Sequence, residues 1–299
     1  MIFNKLFILF KIGRKIGKSN IINIVSETHK IPLFIKIFFN FLAFSFSSSN
    51  DTKSKSKENL SESIQEMGTT FIKLGQFLAT RPDIIGEKLS KELESLQDKL
   101  PPFSKKEAEK IMIENLGQSN FDDIIDLSEP IAAASIAQVH KAKIKEDNII
   151  KNVAIKVLRP NIKKIFNDEI DAIMLLAYIV ESLITKTKRL KLIEVVFLFK
   201  EITNHEMDLR FEAAAANEYA ENTKNDLGFF VPKIYWNFTS ESVLTLDWVD
   251  GVSIREKDLL KEKNIETSKI ATNLIQHFLR HAVRDGFFHA DMHQGNIFI

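Results

Sequence analysis

Apolar residues recur along the chain with two different spacings, and each spacing predicts its own kind of element. Steps of three and four residues over 64–78 predict one buried helix face. A second amphipathic run over 84–100 is stopped by a pair of prolines, and the pattern Ser-x-x-Glu at 104–107 predicts the capped start of a third helix that ends near Gly117. The stretch 64–117 is therefore predicted to be helical.

The pattern changes at Pro130. Short β-like runs over 136–144 and 152–158 are separated by a turn-prone sequence at 146–148. The elements predicted further along are a helix over 160–184, a helix over 192–224, a hairpin over 233–248, a hinge at 248–251 and a final helix over 267–284. This order of helices, small sheet and further helices predicts an α+β fold.

Composition excludes several classes of protein. The 299 residues carry a net charge of +1, which gives no reason to expect nucleic acid as a partner. No cysteine is present, so a disulfide framework, a thiol nucleophile and a cysteine zinc site are excluded. The apolar content of 44% and the charged content of 27% are those of an ordinary globular protein. A cytoplasmic location is compatible with all of this.

Two N-terminal stretches raise the question of membrane contact. The apolar run at 31–46 is interrupted by Pro32, Lys36 and Asn40, and it is shorter than the roughly 20 apolar residues that a spanning helix needs. Residues 1–20 mix lysine and arginine with large apolar residues, which predicts a basic amphipathic helix. Such a helix either lies on an anionic membrane surface or packs on the protein's own lobe.

The stretch 289–296, which reads HADMHQGN between two apolar runs, carries a chemical signal. It presents Asp291 and, five residues later, Asn296. Phosphoryl transfer uses such a pair, because a carboxylate orients the attacking hydroxyl and an amide oxygen is a magnesium ligand. Two other interpretations stay open: a divalent metal site formed by His289, Asp291 and His293, or a polar loop that caps a core helix.

A lysine upstream fits the phosphate-binding role in the same chemistry. In the sequence VAIK at 153–156 the side chains alternate, so Lys156 shares a strand face with Ala154. A lysine placed there is a point charge for nucleotide phosphates, and it requires an acidic partner on a following helix. The alternative is a lysine on an edge strand that points to water.

Three closely spaced acids are the candidate partners, namely Glu206, Asp208 and Glu212. Asp208 and Glu212 stand four residues apart and are predicted to share a helix face, where like charges favour a cation such as Lys156 or magnesium between them. The alternative is a solvated acidic helix face on which Glu206 pairs with Arg210.

An alanine-rich segment occupies the place of a kinase's glycine-rich phosphate loop, with Ala132, Ala133, Ala134 and Ser135 in succession. Alanine adopts positive φ less readily than glycine, so we expect a stiffer loop whose amides approach the phosphates differently. A plain alanine-rich helix start is the alternative.

One further pattern, K-x-G-Q, places Lys73 and Gln76 on one side of the first amphipathic helix, which by itself indicates only a solvated face. Taken in order, K-x-G-Q, the alanine-rich loop, VAIK, E-x-D and H-x-D-x-H-x-G-N resemble one family. That family is the UbiB/AarF group of atypical protein-kinase-like proteins tied to ubiquinone biosynthesis. The resemblance runs from about residue 61 to the last residue.

The resemblance implies a fold and a chemistry. The implied fold is α+β, with a protein-kinase-like N-lobe, a helical N-terminal extension and an incomplete helical C-lobe. The implied cofactors are ATP or ADP with Mg²⁺, used in ATPase-like chemistry rather than in protein phosphorylation in trans. Quinone-precursor lipids and quinone-biosynthesis proteins are the implied partners. Older naming treats the same proteins as a 2-polyprenylphenol hydroxylase, but we find no flavin fingerprint and no facial iron triad in the sequence.

The resemblance also implies roles for individual residues. Lys156 would hold the nucleotide's phosphates, with Glu212 as the orienting acid, and the loop from Ala132 to Ser135 would cover the phosphates. Asp291 would position the phosphoryl acceptor or water, and Asn296 would bind magnesium. The residues implied to gate the pocket are Lys73, Gln76, Glu206 and Asp208.

The chain departs from the family in two ways. Gln294 replaces the proline that is usual in H-P-G-N, which we expect to be tolerated. The family's D-F-G aspartate and C-terminal membrane helices would come after Ile299. We therefore expect a fragment or a truncated gene product that holds magnesium poorly and has impaired catalysis.

Four segments are predicted: a basic, apolar segment with a linker at 1–57, a helical K-x-G-Q extension at 58–128, a kinase-like N-lobe with inserted helices at 129–250, and the start of a C-lobe at 251–299. Two other functions stay open. One is a small-molecule phosphotransferase of the aminoglycoside or choline-kinase type, which shares the H-x-D-x-x-x-x-N loop. The other is a non-catalytic module that binds lipid or a partner.

Overall fold

The computed structural model describes residues 2–18, 21, 60–96, 100–183, 185–290, 292 and 296–299. The apolar run at 31–46 and the linker that follows it lie outside the described residues. The chain forms two compact units. The first unit comprises Met1–Phe103, Ala133–Ala137 and Leu158–Met207, and the second comprises Ser104–Ala132, Gln138–Val157 and Asp208–Ile299.

Helices and one antiparallel sheet make up the regular structure. The helices are α1 (Ile2–Lys18), α2 (Leu60–Met67), α3 (Thr69–Ala79), α4 (Pro82–Ile85), α5 (Glu87–Leu93), α6 (Lys105–Leu116), α7 (Gln118–Asp122), α8 (Ile162–Leu183), α9 (Leu192–Glu206), α10 (Leu209–Thr223), α11 (Lys257–Glu262) and α12 (Thr267–Arg280). The strands are β1 (Ile124–Ile125), β2 (Pro130–Ala133), β3 (Ala137–Glu146), β4 (Ile149–Leu158) and β5 (Val243–Asp247). Short 3₁₀ turns cover Thr185–Leu190 and Trp236–Phe238, and a π turn covers His281–Asp285.

Helix α1 packs on the first unit through its apolar face. Ile12 is buried together with Met67 of α2, Phe71 of α3 and Ala172 of α8. The Lys15 ammonium donates a hydrogen bond to the Met67 carbonyl at 2.8 Å. The interpretation of this helix as one that packs on its own lobe is therefore correct for its buried face. Within the described ranges, no helix is long and apolar enough to cross a membrane.

The helix predicted over 84–100 is interrupted. Gly86 has a φ of 85°, a left-handed conformation that ends α4 and precedes α5, because glycine adopts it without steric cost. Helix α5 then buries leucines beside α2 and α3. A Cβ at Gly75 of α3 would lie 2.4 Å from Cδ1 of Leu96, so the glycine of K-x-G-Q permits this close approach.

The second unit contains most of the sheet, whose strand order is β1-β3-β4-β5 with β2 paired to β3. Asp147 and Asn148 join β3 to β4 with φ values of 50° and 61°, as a tight hairpin turn requires. On β4 the side chains of Val153 and Ile155 are fully buried, whereas Ala154 and Lys156 face the other side and are partly exposed. The alternation predicted for VAIK is confirmed.

Helix α6 begins as the sequence predicts. The Ser104 hydroxyl accepts a hydrogen bond from the Glu107 amide at 3.3 Å, and the Glu107 carboxylate accepts one from the Ser104 amide at 3.1 Å. This reciprocal capping box satisfies two amide groups that the first helical turn otherwise leaves unpaired. The helix ends before Gly117, as predicted.

The helix predicted over 192–224 is two helices. Helix α9 ends at Glu206, Met207 follows, and Asp208 takes an extended conformation as the N-cap of α10. The hairpin predicted over 233–248 is also only partly present: Ile234 pairs with Leu246 as an isolated bridge, after which the chain forms a 3₁₀ turn instead of a full strand.

The hinge at 248–251 is tied at both ends. The Trp248 amide donates to the Asn152 carbonyl of β4 at 3.0 Å. After the hinge, Val252 exchanges two backbone hydrogen bonds with Ile299, both at 2.9 Å. The segment that follows the hinge therefore pairs with the segment that follows the 289–296 loop.

Replacing Gly251 with alanine is expected to loosen this pairing. The added Cβ would lie 2.8 Å from Cβ of Phe298, an atom that cannot move without its own backbone. We expect a loss of about 1–3 kcal/mol in the free energy of unfolding. Faster hydrogen exchange at the amides of Val252 and Ile299, with unchanged exchange in α6, is the measurement. Unchanged exchange at both amides would contradict the prediction.

Candidate functional site

Lys156 forms an ion pair with Glu212. Its ammonium lies 2.7 Å from Oε2 and 3.0 Å from Oε1 of that carboxylate. Strand β4 presents the lysine opposite Leu244 of β5, and the carboxylate comes from the first turn of α10, where the helix dipole favours negative charge. The side chains are 28% and 49% exposed, so an anion from solvent has access to the ammonium. The edge-strand alternative, a lysine that only meets water, is wrong.

Asp208 has a different partner from the one predicted. As the N-cap of α10 it accepts a hydrogen bond from the Arg210 amide at 3.1 Å. The Arg210 guanidinium also binds its two carboxylate oxygens, at 2.9 and 2.7 Å. Because Asp208 precedes the helix, it does not share a helix face with Glu212. Arg210 pairs with Asp208, so its predicted alternative pairing with Glu206 is not formed.

Glu206 pairs instead with Lys73, inside the first unit. The ammonium of Lys73 lies 2.9 Å from Oε2 of Glu206, and the lysine side chain is only 15% exposed. Gln76 lies on the same side of α3 and is partly buried. Thr69, one turn before Lys73, donates from its hydroxyl to the Ser135 carbonyl at 3.2 Å. This face of α3 is therefore held by side-chain contacts and is not merely solvated.

The alanine-rich segment is extended at its start and then bends. Ala132 lies on β2 and is exposed, so the helix-start alternative is wrong. In the first unit the Ala134 amide donates to the Ala137 carbonyl at 2.8 Å. The Ala134 carbonyl accepts two hydrogen bonds from the Arg159 guanidinium, at 3.1 and 2.8 Å.

Arg159 is a site residue that the sequence reasoning missed. Besides the Ala134 carbonyl, its guanidinium reaches the Leu100 carbonyl at 3.4 Å and lies over the Phe103 ring, 5.9 Å from the centroid. Its own amide donates to the Ile136 carbonyl at 2.8 Å. The only hint in the sequence is that Arg159 comes just after the VAIK strand. A contact between a side chain and backbone carbonyls does not show in the pattern of residue types.

The loop at 289–296 is only partly within the described residues. Asp291, His293 and Gln294 lie outside them, so the catalytic role of Asp291 and the alternative metal site both stay predictions. Asn296 is described and exposed, directly before the segment that pairs with the hinge. A carboxamide oxygen is a ligand type that magnesium accepts, and the role of Asn296 as a metal ligand stays a prediction.

A buried histidine on β3 was also missed. Nε2 of His140 accepts a hydrogen bond from the Gln138 amide at 2.8 Å, which leaves Nδ1 to donate to the Ser128 carbonyl, also at 2.8 Å. Burial lowers the pKa of His140. The ring is therefore neutral in the folded protein over a range in which a free histidine is protonated.

Acid is expected to destabilise the second unit through His140. Below about pH 6.5 the unfolded chain binds a proton that the folded chain does not, so the free energy of unfolding should fall as pH decreases, by at most about 1.4 kcal/mol per pH unit. Above that pH this contribution is constant. Urea unfolding of the wild-type chain and a His140→Gln variant is the measurement. An equal pH dependence in both would contradict the prediction.

An antiparallel sheet that carries a lysine paired with a helical glutamate, followed by a hinge and a helix that leads to an H-x-D loop, defines a protein-kinase-like fold. The chain belongs to the ABC1 atypical kinase-like family, whose domain matches residues 95–299. The resemblance to the UbiB group is thereby confirmed, and so is the α+β, kinase-like fold.

Relatives agree with this membership. The chain is 33% identical over 271 residues to a probable protein kinase UbiB of Marinobacter nauticus, covering 90% of this chain and 49% of the relative. It is 36% identical over 246 residues to one of Tolumonas auensis, covering 80% and 44%. A solved structure, the complex of Rv3197 with erythromycin from Mycobacterium tuberculosis, shares 25% identity at a TM-score of 0.54, covering 76% of this chain and 55% of that one. The chain spans about half the length of the curated relatives it matches.

Proposed function

We propose that the chain is the nucleotide-binding portion of an atypical kinase-like protein that uses ATPase or phosphoryl-transfer chemistry in ubiquinone biosynthesis. The ion pair between Lys156 and Glu212 is the observation that carries this proposal. It holds a strand lysine in one position while leaving its ammonium accessible, which is what phosphate binding by a kinase-like lysine requires. The names of the UbiB relatives support the quinone context.

The proposed ligands are ATP or ADP with Mg²⁺. Lys156 would bind the phosphates, Glu212 would fix its orientation, and Ala132 to Ser135 would lie over the phosphates. Asn296 would hold the metal, which screens phosphate charge when bound. Asp291 would orient the acceptor hydroxyl or water.

A gating role for Lys73, Gln76, Glu206 and Asp208 is part of the proposal. The ion pair between Lys73 and Glu206 joins α3 to the end of α9, which supports a closed arrangement of the K-x-G-Q helix within the first unit. A small-molecule phosphotransferase has no need of this pair. Unchanged nucleotide turnover in a Lys73→Ala variant of a full-length form would therefore favour that class over the proposed one.

The proposed setting is the cytoplasm, with peripheral contact at the inner face of the membrane and with quinone-precursor lipids or quinone-biosynthesis proteins as partners. Helix α1 supports the membrane part, because Phe7 and Phe10 are exposed on a helix that also carries Lys11. The same observation favours a second candidate, a non-catalytic lipid-binding module. Flotation on anionic vesicles by a form that binds no nucleotide would support this second function.

Thermal unfolding with and without magnesium ADP or ATP tests the main proposal. The 299-residue chain is compared with a form extended through the segment that its longer relatives carry. A nucleotide-dependent rise in both melting temperatures means that the described site suffices for binding. A rise only in the extended form means that the site needs the additional segment. No rise in either form would overturn the proposed function.

A further inference from the structure

Three metal-ligand side chains of the second unit converge on one place. Asp226 comes from the loop after α10, His277 from the last turn of α12 and His281 from the π turn. All three are buried, and one ligand atom of each lies within 4.8 Å of the other two. We propose that these residues form a site for a divalent transition-metal ion of the zinc type, with Asp226, His277 and His281 as ligands.

The spacing of the two histidines fits a shared ion. They stand four residues apart, so both rings project from the same side of the helix. Their ring centroids are 5.7 Å apart with an interplanar angle of 32°. Oδ2 of Asp226 lies 2.9 Å from Nε2 of His281, a hydrogen-bond distance, so an ion between these two atoms would replace the shared proton and move them slightly apart. Two imidazoles and a carboxylate with an open position are a common ligand set for zinc and for non-haem iron.

His277 gives an independent indication of a ligand. The side chain is only 8% exposed, and Nδ1 is buried with no hydrogen-bond partner in the described part of the chain. Native proteins rarely leave such an atom unpaired, because its lost hydration is not replaced.

A surface cavity provides access to this cluster. It reaches His277 and Arg280 on α12, and its other lining residues are Asn225, Leu227, Asn273 and Gln276. A predicted metal site needs a route by which the ion arrives from solvent, and the amides and the imidazole in this lining offer polar contacts on the way, beside the opposing charge of Arg280.

Tyr219 supplies the outer hydrogen bond that metal-binding histidines normally have. Its hydroxyl lies 2.8 Å from Nδ1 of His281, and the other ring nitrogen, Nε2, faces Asp226. This contact holds the ring orientation in the way that outer-shell partners do, and with an ion on Nε2 the Nδ1 proton would be donated to the Tyr219 hydroxyl. Phe229 packs on both imidazoles, with centroid distances of 4.8 Å to His281 and 5.2 Å to His277, and so reduces the access of water.

Two arginines oppose the ion. Arg284 binds both oxygens of Asp226, at 2.8 and 2.9 Å, and Arg280 approaches to 3.5 Å. Arg284 is itself held by Asp285 at 2.6 Å, which offsets much of its charge. A carboxylate has about four acceptor positions, and contacts from Arg280, Arg284 and His281 occupy them, so the ion would take the position on Oδ2 that Nε2 of His281 fills in this structure. We therefore expect moderate affinity, and we expect the Arg280→Gln variant to bind zinc severalfold more tightly because it removes one cation.

The test is titration of the metal-free chain with Zn²⁺ by calorimetry, and with Co²⁺ by visible absorption. One ion per chain is expected. His277→Gln should weaken Zn²⁺ binding by more than about 100-fold, since loss of an outer partner alone costs 10- to 100-fold. Tyr219→Phe should weaken it by about tenfold. A cooperative urea unfolding transition of the metal-free His277→Gln chain shows that the variant folds, at a midpoint lowered by the loss of the ring that packs on Phe229.

Two control variants separate this site from other histidines. His205→Gln, at an exposed position of α9, should bind Zn²⁺ as the wild-type chain does. His289→Gln tests the loop at 289–296 and should also retain binding. Loss of binding in His289→Gln, wild-type affinity in His277→Gln, or no Zn²⁺ binding by the chain at micromolar concentration would each overturn the proposal. Nucleotide binding is not needed for any of these measurements.

Discussion

Replacing Lys156 with alanine is expected to weaken magnesium–nucleotide binding by about 10- to 100-fold in the form that shows a nucleotide-dependent thermal shift. The reason is the loss of charge-assisted hydrogen bonds from the ammonium to phosphate oxygens, each of which contributes about 1.5–3 kcal/mol. Calorimetric or fluorescence titration with ADP and ATP measures the change. The effect should be larger for ATP, because the triphosphate carries more charge near the lysine.

A matched control exists on the neighbouring strand. Lys143 of β3 is also paired with a carboxylate, 2.6 Å from Asp126, but both side chains are at the surface. Lys143→Ala makes the same change of charge and should leave nucleotide affinity within about twofold of wild type, because exposed ion pairs contribute little. Equal affinities for Lys156→Ala and the wild-type chain would falsify the proposed nucleotide site.

The second large effect is expected for Phe199→Ala, which should reduce the free energy of unfolding of the first unit by about 3–5 kcal/mol. Phe199 is 1% exposed on α9. Its ring contacts Phe77 of α3 and Phe166 of α8, each with a centroid distance of 5.5 Å. Truncation leaves a cavity and removes both aromatic pairs. Urea unfolding followed by far-UV circular dichroism measures the loss.

The control for this change lies two residues earlier on the same helix. Phe197 is 55% exposed, so Phe197→Ala removes a ring of the same size without opening a cavity. Its expected effect is within about 0.5 kcal/mol. A similar loss of stability in both variants would show that helix propensity, and not burial in the core, determines the cost.

The parts of the fold that were predicted correctly are those with a periodic apolar pattern or a helix-capping motif. The box at Ser104 and the alternation on β4 depend on residues close in sequence, so both could be inferred correctly. The break between α9 and α10 was missed because the apolar pattern continues through it. Asp208 was a signal that could have found it, since aspartate is a preferred N-cap residue.

The site was harder to predict because its partners are far apart in sequence. The need of Lys156 for an acidic partner was predicted, but the sequence spacing does not distinguish among the three candidate acids. In the structure the partner is Glu212. No spacing in the sequence predicts the pairing of Lys73 with Glu206, although the family resemblance names both as gating residues. For the histidine cluster, the four-residue spacing of His277 and His281 was visible, whereas the approach of Asp226 was not.

The backbone pairing of Val252 with Ile299 has a consequence for synthesis of the protein. Strands β4 and β5 have their partners once residue 247 has left the ribosome, whereas the segment after the hinge must wait for the last residues of this sequence. During translation the amide and carbonyl groups just after the hinge therefore stay unpaired until nearly fifty further residues have been made. At about 5–20 residues per second this takes a few seconds. A ribosome-stalled nascent chain that ends before residue 297 should be cleaved by protease near the hinge, and this sensitivity should disappear once Ile299 has emerged.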